Sequence, residues 1–255
     1  MDIVDKTAYF YSLYKGEKGI LGYTELNRPI YYFEVGKTCR PLIFIHGAIH
    51  AREFITADLL LKEVEYLSER LPFGRVVIAP LINADGVKIV KTIPNYKANA
   101  KGVDLNVNFP AKWGTGESNK LTRGYSDFIG NSPACAEEVK ALISFTKFLL
   151  PDATVSFHAK GKEIYFDFCD EKLKEKHLPL AKELSALTGY NLRTILRSAG
   201  GYKDWVLQQF KVPSFTIEVG SDNLTHPIGL DKTDDIFSEI CDVPISIVKM
   251  LKGSV

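Results

Sequence analysis

The best candidates for chemistry in this chain are a histidine and a glutamate three positions apart. His50 and Glu53 belong to the segment His-Ala-Arg-Glu, which comes shortly after the apolar run Pro-Leu-Ile-Phe-Ile. This position is typical of the end of a strand and the start of a helix, and the i, i+3 spacing puts both side chains on one helical face. Imidazole and carboxylate groups both bind Zn²⁺ in proteins. The pair therefore predicts two ligands of one metal ion.

A third ligand and a base would complete a zinc hydrolase, and the later sequence offers one of each. Catalytic zinc takes three protein ligands and leaves a position for water. His158 ends the run Ala-Thr-Val-Ser-Phe-His, and Glu218 ends the run Ser-Phe-Thr-Ile-Glu. A histidine after a strand is commonly structural, and His-x-x-Glu alone is a weak pattern. We predict a metal site because all of these residues lie together at predicted strand ends.

Six short segments rich in β-branched and aromatic residues are predicted to be strands. They are residues 30–35, 41–46, 76–81, 154–158, 164–168 and 214–219. Helical patterns lie between them, at residues 52–71, 134–150, 171–188 and 235–251. Strands that alternate with helices indicate a sheet between helical layers, with active sites where the strands end. His50, His158 and Glu218 all lie at or just past such ends.

The composition fits one large α/β domain, which we predict to comprise residues 1–255. Hydrophobic residues make up 45% of the chain, and the formal net charge is +1. This balance indicates neither a nucleic-acid partner nor a membrane partner, and no apolar run approaches the roughly 18 residues of a membrane helix. The first residues lack a basic segment followed by an apolar one, so we expect a cytoplasmic location. The sequence leaves the oligomeric state open.

The four cysteines are spread widely and form no Cys-x-x-Cys pair, which argues against a cysteine zinc site. They are Cys39, Cys135, Cys169 and Cys241. We expect free thiols in a reducing compartment. A single disulfide stays open as the alternative if the protein is exported.

Four segments around the candidate residues resemble the zinc carboxypeptidase A family. Residues 46–56 match its ligand motif, residues 83–86 its Asn-Pro-Asp-Gly turn, and residues 102–110 its central marker Gly-Val-Asp-x-Asn-x-Asn. Residues 214–218 match the strand that carries the family's catalytic glutamate, and all matches occur in family order. The resemblance implies a carboxypeptidase-like α/β fold, a three-layer α/β/α sandwich around a mixed, twisted sheet of about eight strands.

The resemblance also implies a role for each residue of the metal site. His50, Glu53 and His158 would hold one Zn²⁺ per chain. Glu218 would be the general base and later the proton donor to the leaving amine. This division suits the chemistry, because zinc acidifies water and polarises the scissile carbonyl while a nearby carboxylate takes the proton.

Two basic residues match further positions of the family. Arg52 matches an arginine that contacts the substrate, although a salt bridge at a helix start is its simpler explanation. Lys97, in the segment Asn-Tyr-Lys-Ala-Asn, is the approximate match of the arginine that stabilises the oxyanion. Loss of one oxyanion donor costs roughly 10²–10³ in rate in well-studied enzymes.

The substrate-binding part of the resemblance is incomplete. Asn106 matches the asparagine of the Asn-Arg pair with which digestive carboxypeptidases hold the substrate's terminal carboxylate, but Val107 replaces the arginine. A bidentate carboxylate clamp is therefore missing. Leu196 lies near the position of the family's mobile tyrosine. Trimming of ordinary peptide C-termini is consequently not the favoured prediction.

Other segments resemble the family's bacterial γ-D-glutamyl-diamino acid peptidases. Residues 158–166 fit their His-x-x-Gly-x-x-Ile-Tyr pattern, and residues 200–205 read Gly-Gly-Tyr-Lys-Asp-Trp as theirs do. Those enzymes cut peptidoglycan stem peptides between γ-D-glutamate and meso-diaminopimelate or lysine. The resemblance implies a peptidoglycan stem peptide as the substrate.

Such substrates carry carboxylates in unusual places, which directs attention to basic and polar residues of the specificity loop. Lys203 would meet one of those carboxylates, and Arg197 and Tyr202 are further candidates. A solvated loop lysine is an equally good explanation of Lys203. Asp204 is expected to tie the loop down.

Three other functions stay open. A conventional metallocarboxypeptidase with altered C-terminal specificity would use the same zinc site. A non-catalytic homologue would only bind cell-wall peptides, although all four catalytic positions are filled. An acylase acting on an amino acid would share the fold but lack the peptidase-like segments.

Overall fold

The centre of the molecule is an eight-stranded sheet, seen in a computed structural model that describes residues 1–194 and 197–253. The strands are β1 (Lys18–Tyr23), β2 (Pro29–Gly36), β3 (Leu42–Gly47), β4 (Arg75–Ala79), β5 (Ala153–Ala159), β6 (Glu163–Tyr165), β7 (Asn191–Arg193) and β8 (Ser214–Val219). Their order is β1-β2-β4-β3-β5-β8-β6-β7. The neighbours β4, β3, β5 and β8 run parallel, and β1–β2, β2–β4 and β6–β8 are antiparallel. The sheet is mixed, as predicted.

Helices cover both faces of the sheet and give the predicted three layers. They are α1 (Ile3–Leu13), α2 (Ile55–Arg70), α3 (Ala84–Val90), α4 (Glu137–Leu149), α5 (Glu171–Thr188), α6 (Tyr202–Phe210), α7 (Thr233–Ile240) and α8 (Val243–Lys252). One core, which contains Ile45 and Phe157, joins the sheet to α2, α5, α7 and α8. The other core, which contains Phe44 and Trp205, joins it to α4 and α6. Among the described residues, no helix combines the length and apolarity needed to cross a membrane.

The central strand β3 shows how the sequence produces this burial. Ile43 and Ile45 point into one core, whereas Leu42 and Phe44 point into the other. Side chains alternate between the two faces of a strand, and a parallel strand covered on both faces needs apolar residues at every position. The continuous apolar run before the candidate ligands is therefore a strand at the middle of the sheet.

All six predicted strands are present, with small shifts of their ends. The longest shift is in β6, which ends at Tyr165 rather than at residue 168. The strands without a prediction are β1 and β7, which form the two edges of the sheet. Edge strands bury less surface, so their apolar pattern is weaker, and β7 has only three residues.

Two helix predictions need correction. The segment 52–71 begins with a 3₁₀ turn, Ala51–Glu53, and α2 starts only at Ile55. The segment 235–251 forms two helices, α7 and α8, rather than one. Pro244 lies in the first turn of α8, where its missing N–H leaves no hydrogen bond unmade.

Candidate metal centre and active site

The first two candidate ligands lie beyond the end of β3, in a tight turn rather than in a regular helix. His50 directly precedes the 3₁₀ helix Ala51–Glu53. This turn brings Nδ1 of His50 to 3.0 Å from Oε1 of Glu53. Both side chains are buried. The two residues share one face as predicted, but the helical turn that brings their side chains together is 3₁₀ rather than α.

His158 joins this pair from β5. Its Nδ1 atom lies 3.1 Å from Nδ1 of His50 and 3.0 Å from Oε2 of Glu53. The ligand atoms of the three residues lie within 4.8 Å of one another. In the described part of the chain, this is the one cluster of histidine, cysteine and acidic residues with such geometry.

The second ring nitrogen of each histidine faces an oxygen atom, and this orients the rings. Nε2 of His50 is 3.3 Å from Oδ1 of Asp104, and Nε2 of His158 is 3.0 Å from Oγ of Ser156. If the ring proton is on Nε2, where the Asp104 charge and the Ser156 hydroxyl favour it, the Nδ1 lone pairs point toward each other and toward Glu53. Converging lone pairs repel one another unless a cation lies between them. The donor set therefore fits zinc.

The buried acidic groups of this centre remain ionised because basic side chains surround them. Burial alone would raise the pKa of Glu53, but His50 and His158 hold it well below its usual range. Burial likewise opposes ionisation of Asp104, yet Lys97 and His50 lower its pKa. Both carboxylates are therefore charged at neutral pH, as metal binding and ring orientation require.

Glu218 lies on β8, paired with His158 of β5 in the parallel register. In the described ranges no lysine forms an ion pair with it, so Glu218 is not a strand-end charge paired to a lysine. Burial raises the pKa of Glu218 to about 8, with His158 and Lys97 opposing the rise and Glu53 adding to it. A carboxyl group of this kind beside a metal cluster is suited to proton transfer.

A buried cation lies next to the same cluster. Nζ of Lys97 is 3.0 Å from Oδ2 of Asp104 and 3.7 Å from Oδ1 of Asp127. Burial favours loss of its proton, but Asp104 and Glu53 raise its pKa, so Lys97 stays charged. Its charge also acts on Glu218. A fixed positive charge at this place can stabilise negative charge that develops on a substrate.

A family model for zinc carboxypeptidases, peptidase M14, matches residues 17–235. The chain belongs to this family. Its members are zinc hydrolases, and the cluster of His50, Glu53 and His158 can hold one such ion.

Individual relatives show how far this zinc carboxypeptidase chain resembles known proteins. The γ-D-glutamyl-L-diamino acid endopeptidase 1 of Lysinibacillus sphaericus is 28% identical over 256 residues, a match that covers 86% of this chain. The match covers 64% of that relative, so the chain spans less than two thirds of its length.

Two solved structures share the fold over nearly the whole chain. Bovine thrombin-activatable fibrinolysis inhibitor has a TM-score of 0.87 at 21% identity, covering 100% of this chain and 98% of that one. The murein-tripeptide amidase of Escherichia coli O157 has a TM-score of 0.71 at 22% identity, covering 94% and 95%. The carboxypeptidase-like fold is thereby confirmed.

A mixed-charge cavity of about 390 Å³ lies on the β6 side of the sheet in this carboxypeptidase fold. Tyr165 lines it, and Glu163, two positions earlier on β6, pairs with Glu218 across the antiparallel register. Its wall contains both basic and acidic side chains. They are Lys112, Lys174, Arg197 and Lys203 together with Asp167, Glu171 and Asp204.

Lys203 is held in the wall of this cavity and is not a freely solvated loop residue. Its side chain is 11% exposed, and Nζ lies 2.6 Å from Oδ1 of Asp204. Nζ also donates a 2.6 Å hydrogen bond to the carbonyl oxygen of Asp167. Asp204 in turn accepts a hydrogen bond from the Gly201 N–H, which closes the turn before α6. The loop is tied down as expected.

Tyr202 does not lie where the sequence places it. Its side chain is buried in the core, and its hydroxyl oxygen is 3.0 Å from Oγ1 of Thr146. A substrate contact by Tyr202 is therefore incompatible with the structure. Asn106 accepts a hydrogen bond from the backbone N–H of Tyr202 and so supports the start of α6.

Arg197 is exposed at the rim of the cavity. Its Nη1 atom is 3.3 Å from Oε1 of Glu117, another exposed residue. Leu196, at the position of the family's mobile tyrosine, lies outside the described residues.

Sequence reasoning missed Asp104 and Ser156, the residues that orient the ligand histidines. Asp104 is the aspartate of the marker Gly-Val-Asp, from which the family resemblance and the role of Asn106 were inferred but no role for the aspartate itself. Ser156 stands two positions before His158, and residues two apart on a strand share a face. Ser156 could have been found from the strand pattern, because it shares a face with His158. Asp104 could not, because its position next to His50 depends on how the chain packs.

Proposed function

We propose that this chain is the zinc peptidase domain of an enzyme that hydrolyses peptidoglycan stem peptides between γ-D-glutamate and a diamino acid. The observation that carries the proposal is the mixed-charge cavity with Tyr165 and Lys203 in its wall, since Tyr165 belongs to β6, the strand that pairs with β8 and its Glu218. The diamino acid, meso-diaminopimelate or lysine, has charge at the end of its side chain, and an apolar pocket would disfavour that charge strongly. The relative named as a γ-D-glutamyl-L-diamino acid endopeptidase supports the same substrate class.

In this proposal His50, Glu53 and His158 hold the zinc ion. When bound, zinc polarises the scissile carbonyl and acidifies water toward neutral pH. Asp104 and Ser156 keep the two histidine rings in the orientation that presents Nδ1 to the ion.

Glu218 is proposed to carry the proton through both halves of the reaction. It takes a proton from the attacking water, whose oxygen bonds to the scissile carbonyl carbon. It then gives that proton to the leaving nitrogen as the C–N bond breaks, which yields a carboxylic acid and a free amine. The acid then loses its remaining proton to the amine or to solvent, which leaves a carboxylate. Burial raises the pKa of Glu218 to about 8, so the group must first lose its proton, which the positive charge of a bound zinc ion would favour, before it can act as the base.

The remaining candidates are assigned to the substrate by their positions. Lys97 would stabilise the oxyanion that forms at the carbonyl oxygen, since it is a buried cation beside the metal cluster. Arg52 would contact the substrate, and Lys203 would pair with a carboxylate of the diamino acid or of the adjoining residue. Arg197 would act at the rim of the same subsite, whereas Asn106 would act indirectly by supporting the start of α6.

Mass spectrometry of products from defined stem tripeptides and tetrapeptides tests the proposal. Cleavage is expected only between γ-D-glutamate and the diamino acid, and it should stop with a chelator and return with added zinc. Removal of the residue after the diamino acid from the tetrapeptide, with the γ-glutamyl bond intact, would indicate a conventional metallocarboxypeptidase. Binding of the peptides without hydrolysis by the zinc-loaded protein would indicate a non-catalytic homologue. Either result would contradict the proposed reaction.

The role of Glu218 has its own test, with a neighbouring glutamate as the control. Glu218→Gln is expected to lower kcat by about 10²–10⁴-fold while zinc stoichiometry is unchanged. Glu163→Gln should lower kcat less than about tenfold, because the Glu163 carboxylate is held by Tyr165 and Arg193 and lacks a proton-transfer role. Full activity of Glu218→Gln would eliminate Glu218 as the base.

A further inference from the structure

Three basic side chains border the metal ligands on the side away from the mixed-charge cavity. We call Arg52, Lys160 and His226 the basic cluster. Arg52 directly precedes the ligand Glu53, Lys160 follows the ligand His158 by two positions, and His226 lies in the loop after β8. The function proposed above uses only the first of them.

Arg52 has hydrogen-bonding capacity that the protein leaves unused. Its side chain is 29% exposed, and its Nε atom is 4.0 Å from Oε1 of Glu53, beyond hydrogen-bond distance. This Nε atom is buried and finds no hydrogen-bond partner within the described ranges. A buried donor without an acceptor is costly, so the site is suited to a ligand that supplies one.

His226 shows the same feature next to Arg52. Its Nδ1 atom is also buried, and the described residues offer it no hydrogen-bond partner. Burial lowers the pKa of His226, and the charges of Arg52 and Lys160 lower it further while Glu53 opposes them. The ring is therefore neutral at neutral pH and keeps one N–H to donate.

The loop that carries His226 packs onto the segment that carries Arg52. Pro227 and Phe54, the residues that follow His226 and Glu53, line one common cavity. The two unpartnered nitrogen atoms therefore belong to one region of the surface, beside the metal ligand Glu53.

Lys160 adds a full charge to this region. Its Nζ atom donates a 2.6 Å hydrogen bond to the carbonyl oxygen of Asp222 and lies 3.5 Å from Oδ1 of that residue. An ammonium group has three donors, and the Lys160 side chain is 20% exposed. Asp222 is 77% exposed, so water screens its charge and it neutralises Lys160 weakly.

The order of the strands separates the basic cluster from the mixed-charge cavity. Arg52 follows β3 and Lys160 follows β5, whereas Tyr165 of the cavity belongs to β6. In the sheet, β8 with Glu218 lies between β5 and β6. A substrate whose diamino acid occupies the cavity therefore extends its other end, the acyl side of the scissile bond, toward the basic cluster.

We propose that the basic cluster binds a free carboxylate on the residue that supplies the scissile carbonyl, and that Lys160 and His226 make this carboxylate a condition for efficient cleavage. The inference rests on the proposed function, because a γ-linked glutamate keeps its α-carboxylate free next to the scissile bond. A carboxylate is an acceptor-only group that can receive hydrogen bonds from an arginine, an ammonium and an imidazole N–H together.

A matched pair of substrates tests this inference. One is a γ-glutamyl-diamino acid peptide with a free α-carboxylate, and the other is the same peptide with an α-carboxamide. The wild-type zinc enzyme should prefer the carboxylate by about 10–100-fold in kcat/KM. Lys160→Gln and His226→Asn should each reduce that preference at least about fivefold, and leave kcat/KM for the carboxamide within about threefold of wild type.

Lys162→Gln is the matched control, since Nζ of Lys162 pairs with Glu239 at 2.5 Å and so points away from the cluster. It should keep the full preference. Calorimetry measures the Kd of each peptide for the zinc-loaded Glu218→Gln protein. The ratio of the two Kd values should match the preference in kcat/KM.

The possible results separate the inference from the proposed function. Equal cleavage of the two peptides by wild type, or a preference unchanged in both cluster variants, would overturn the inference and leave the proposed function intact. Failure to cleave either peptide, with cleavage of an ordinary C-terminal residue instead, would overturn the proposed function and the inference with it.

Discussion

At the scale of single residues, the surroundings of two neighbouring glutamates set their different chemistry. Glu163 and Glu218 are paired across β6 and β8. Glu163 accepts hydrogen bonds from the Tyr165 hydroxyl and from Nε of Arg193. These two contacts stabilise its negative charge. Glu218 has no comparable partner in the described structure, and burial raises its pKa to about 8. One carboxylate is held in place, whereas the other is free to exchange a proton.

The charge of Asp104 is expected to control zinc affinity through His50. Asp104→Asn keeps the shape of the side chain but removes the negative charge that favours a proton on Nε2 of His50, and zinc affinity should fall about 10–100-fold. Competition with a chromogenic chelator measures the Kd for zinc. Ser156→Ala removes a neutral acceptor from His158, so its effect should be smaller. An unchanged Kd in Asp104→Asn would rule out the orienting role.

At the scale of elements, two adjacent residues of α6 lie in different environments. Lys203 lines the cavity, whereas Tyr202 is buried against Thr146. Successive residues of an α-helix are about 100° apart around its axis, because one turn takes 3.6 residues. A loop at this place would have allowed both residues to reach the substrate, but the helix permits only one of them to do so.

The substitution Tyr202→Phe tests whether Tyr202 stabilises the core or contacts the substrate. Loss of the hydroxyl should lower the free energy of unfolding by about 1 kcal/mol and leave kcat and KM unchanged, because the ring still fills the core. Lys203→Met is the neighbouring comparison, expected to lower kcat/KM about tenfold or more. Denaturant titration and steady-state kinetics measure the two effects. A raised KM in Tyr202→Phe would restore Tyr202 as a substrate residue.

A buried acid in α2 makes the stability of the protein depend on pH. Oε1 of Glu63 is buried and lacks a hydrogen-bond partner among the described residues. Burial raises the pKa of Glu63 well above its usual value of 4.5, and Asp242 raises it further. The native state therefore holds this proton to a higher pH than the unfolded state does.

The sign of the effect follows from this difference. The stability contributed by protonated Glu63 is complete below pH 4.5 and is lost as the pH rises through the folded-state pKa. Glu63→Leu removes the titrating group, so its free energy of unfolding relative to wild type should increase between pH 5.5 and pH 8.5. Denaturant titrations at the two pH values give the difference. A variant whose relative stability does not change with pH would contradict the buried, protonated state.

At the scale of the whole molecule, the metal cluster joins chain segments that are far apart in sequence. His50 and Glu53 follow β3, and His158 comes from β5, more than a hundred residues later. An ion that binds all three can bind only the folded chain with full affinity. Metal binding is therefore coupled to the stability of the central sheet.

Removal of zinc is expected to lower the thermal stability of the whole chain. At a free zinc concentration 100 times its Kd, binding adds about 2.7 kcal/mol to the free energy of unfolding, and a chelator should abolish this gain. Calorimetric scans with and without chelator measure the change in Tm. Glu218→Gln should show the same shift as wild type, whereas His158→Gln should show little. A full shift in His158→Gln would remove His158 from the ligand set.

Much of the fold and the metal cluster was predictable, because both depend on strong local patterns. The apolar strands that become β3, β5 and β8 carry the residues that meet at their ends. The edge strands and the 3₁₀ turn after His50 were not predictable, since short or half-exposed elements have weak patterns. The single-domain organisation and the cytoplasmic location stay predictions.

The sequence by itself determined the residue types of the zinc site, their attachment to strand ends and the family, because these depend on order and spacing along the chain. Tertiary structure alone decided which side chains share one space. It placed Asp104 behind His50, turned Tyr202 into the core and gathered Arg52, Lys160 and His226 at one rim. Such contacts join residues that are distant in sequence, and no local pattern records the helix rotations and loop paths that bring them together.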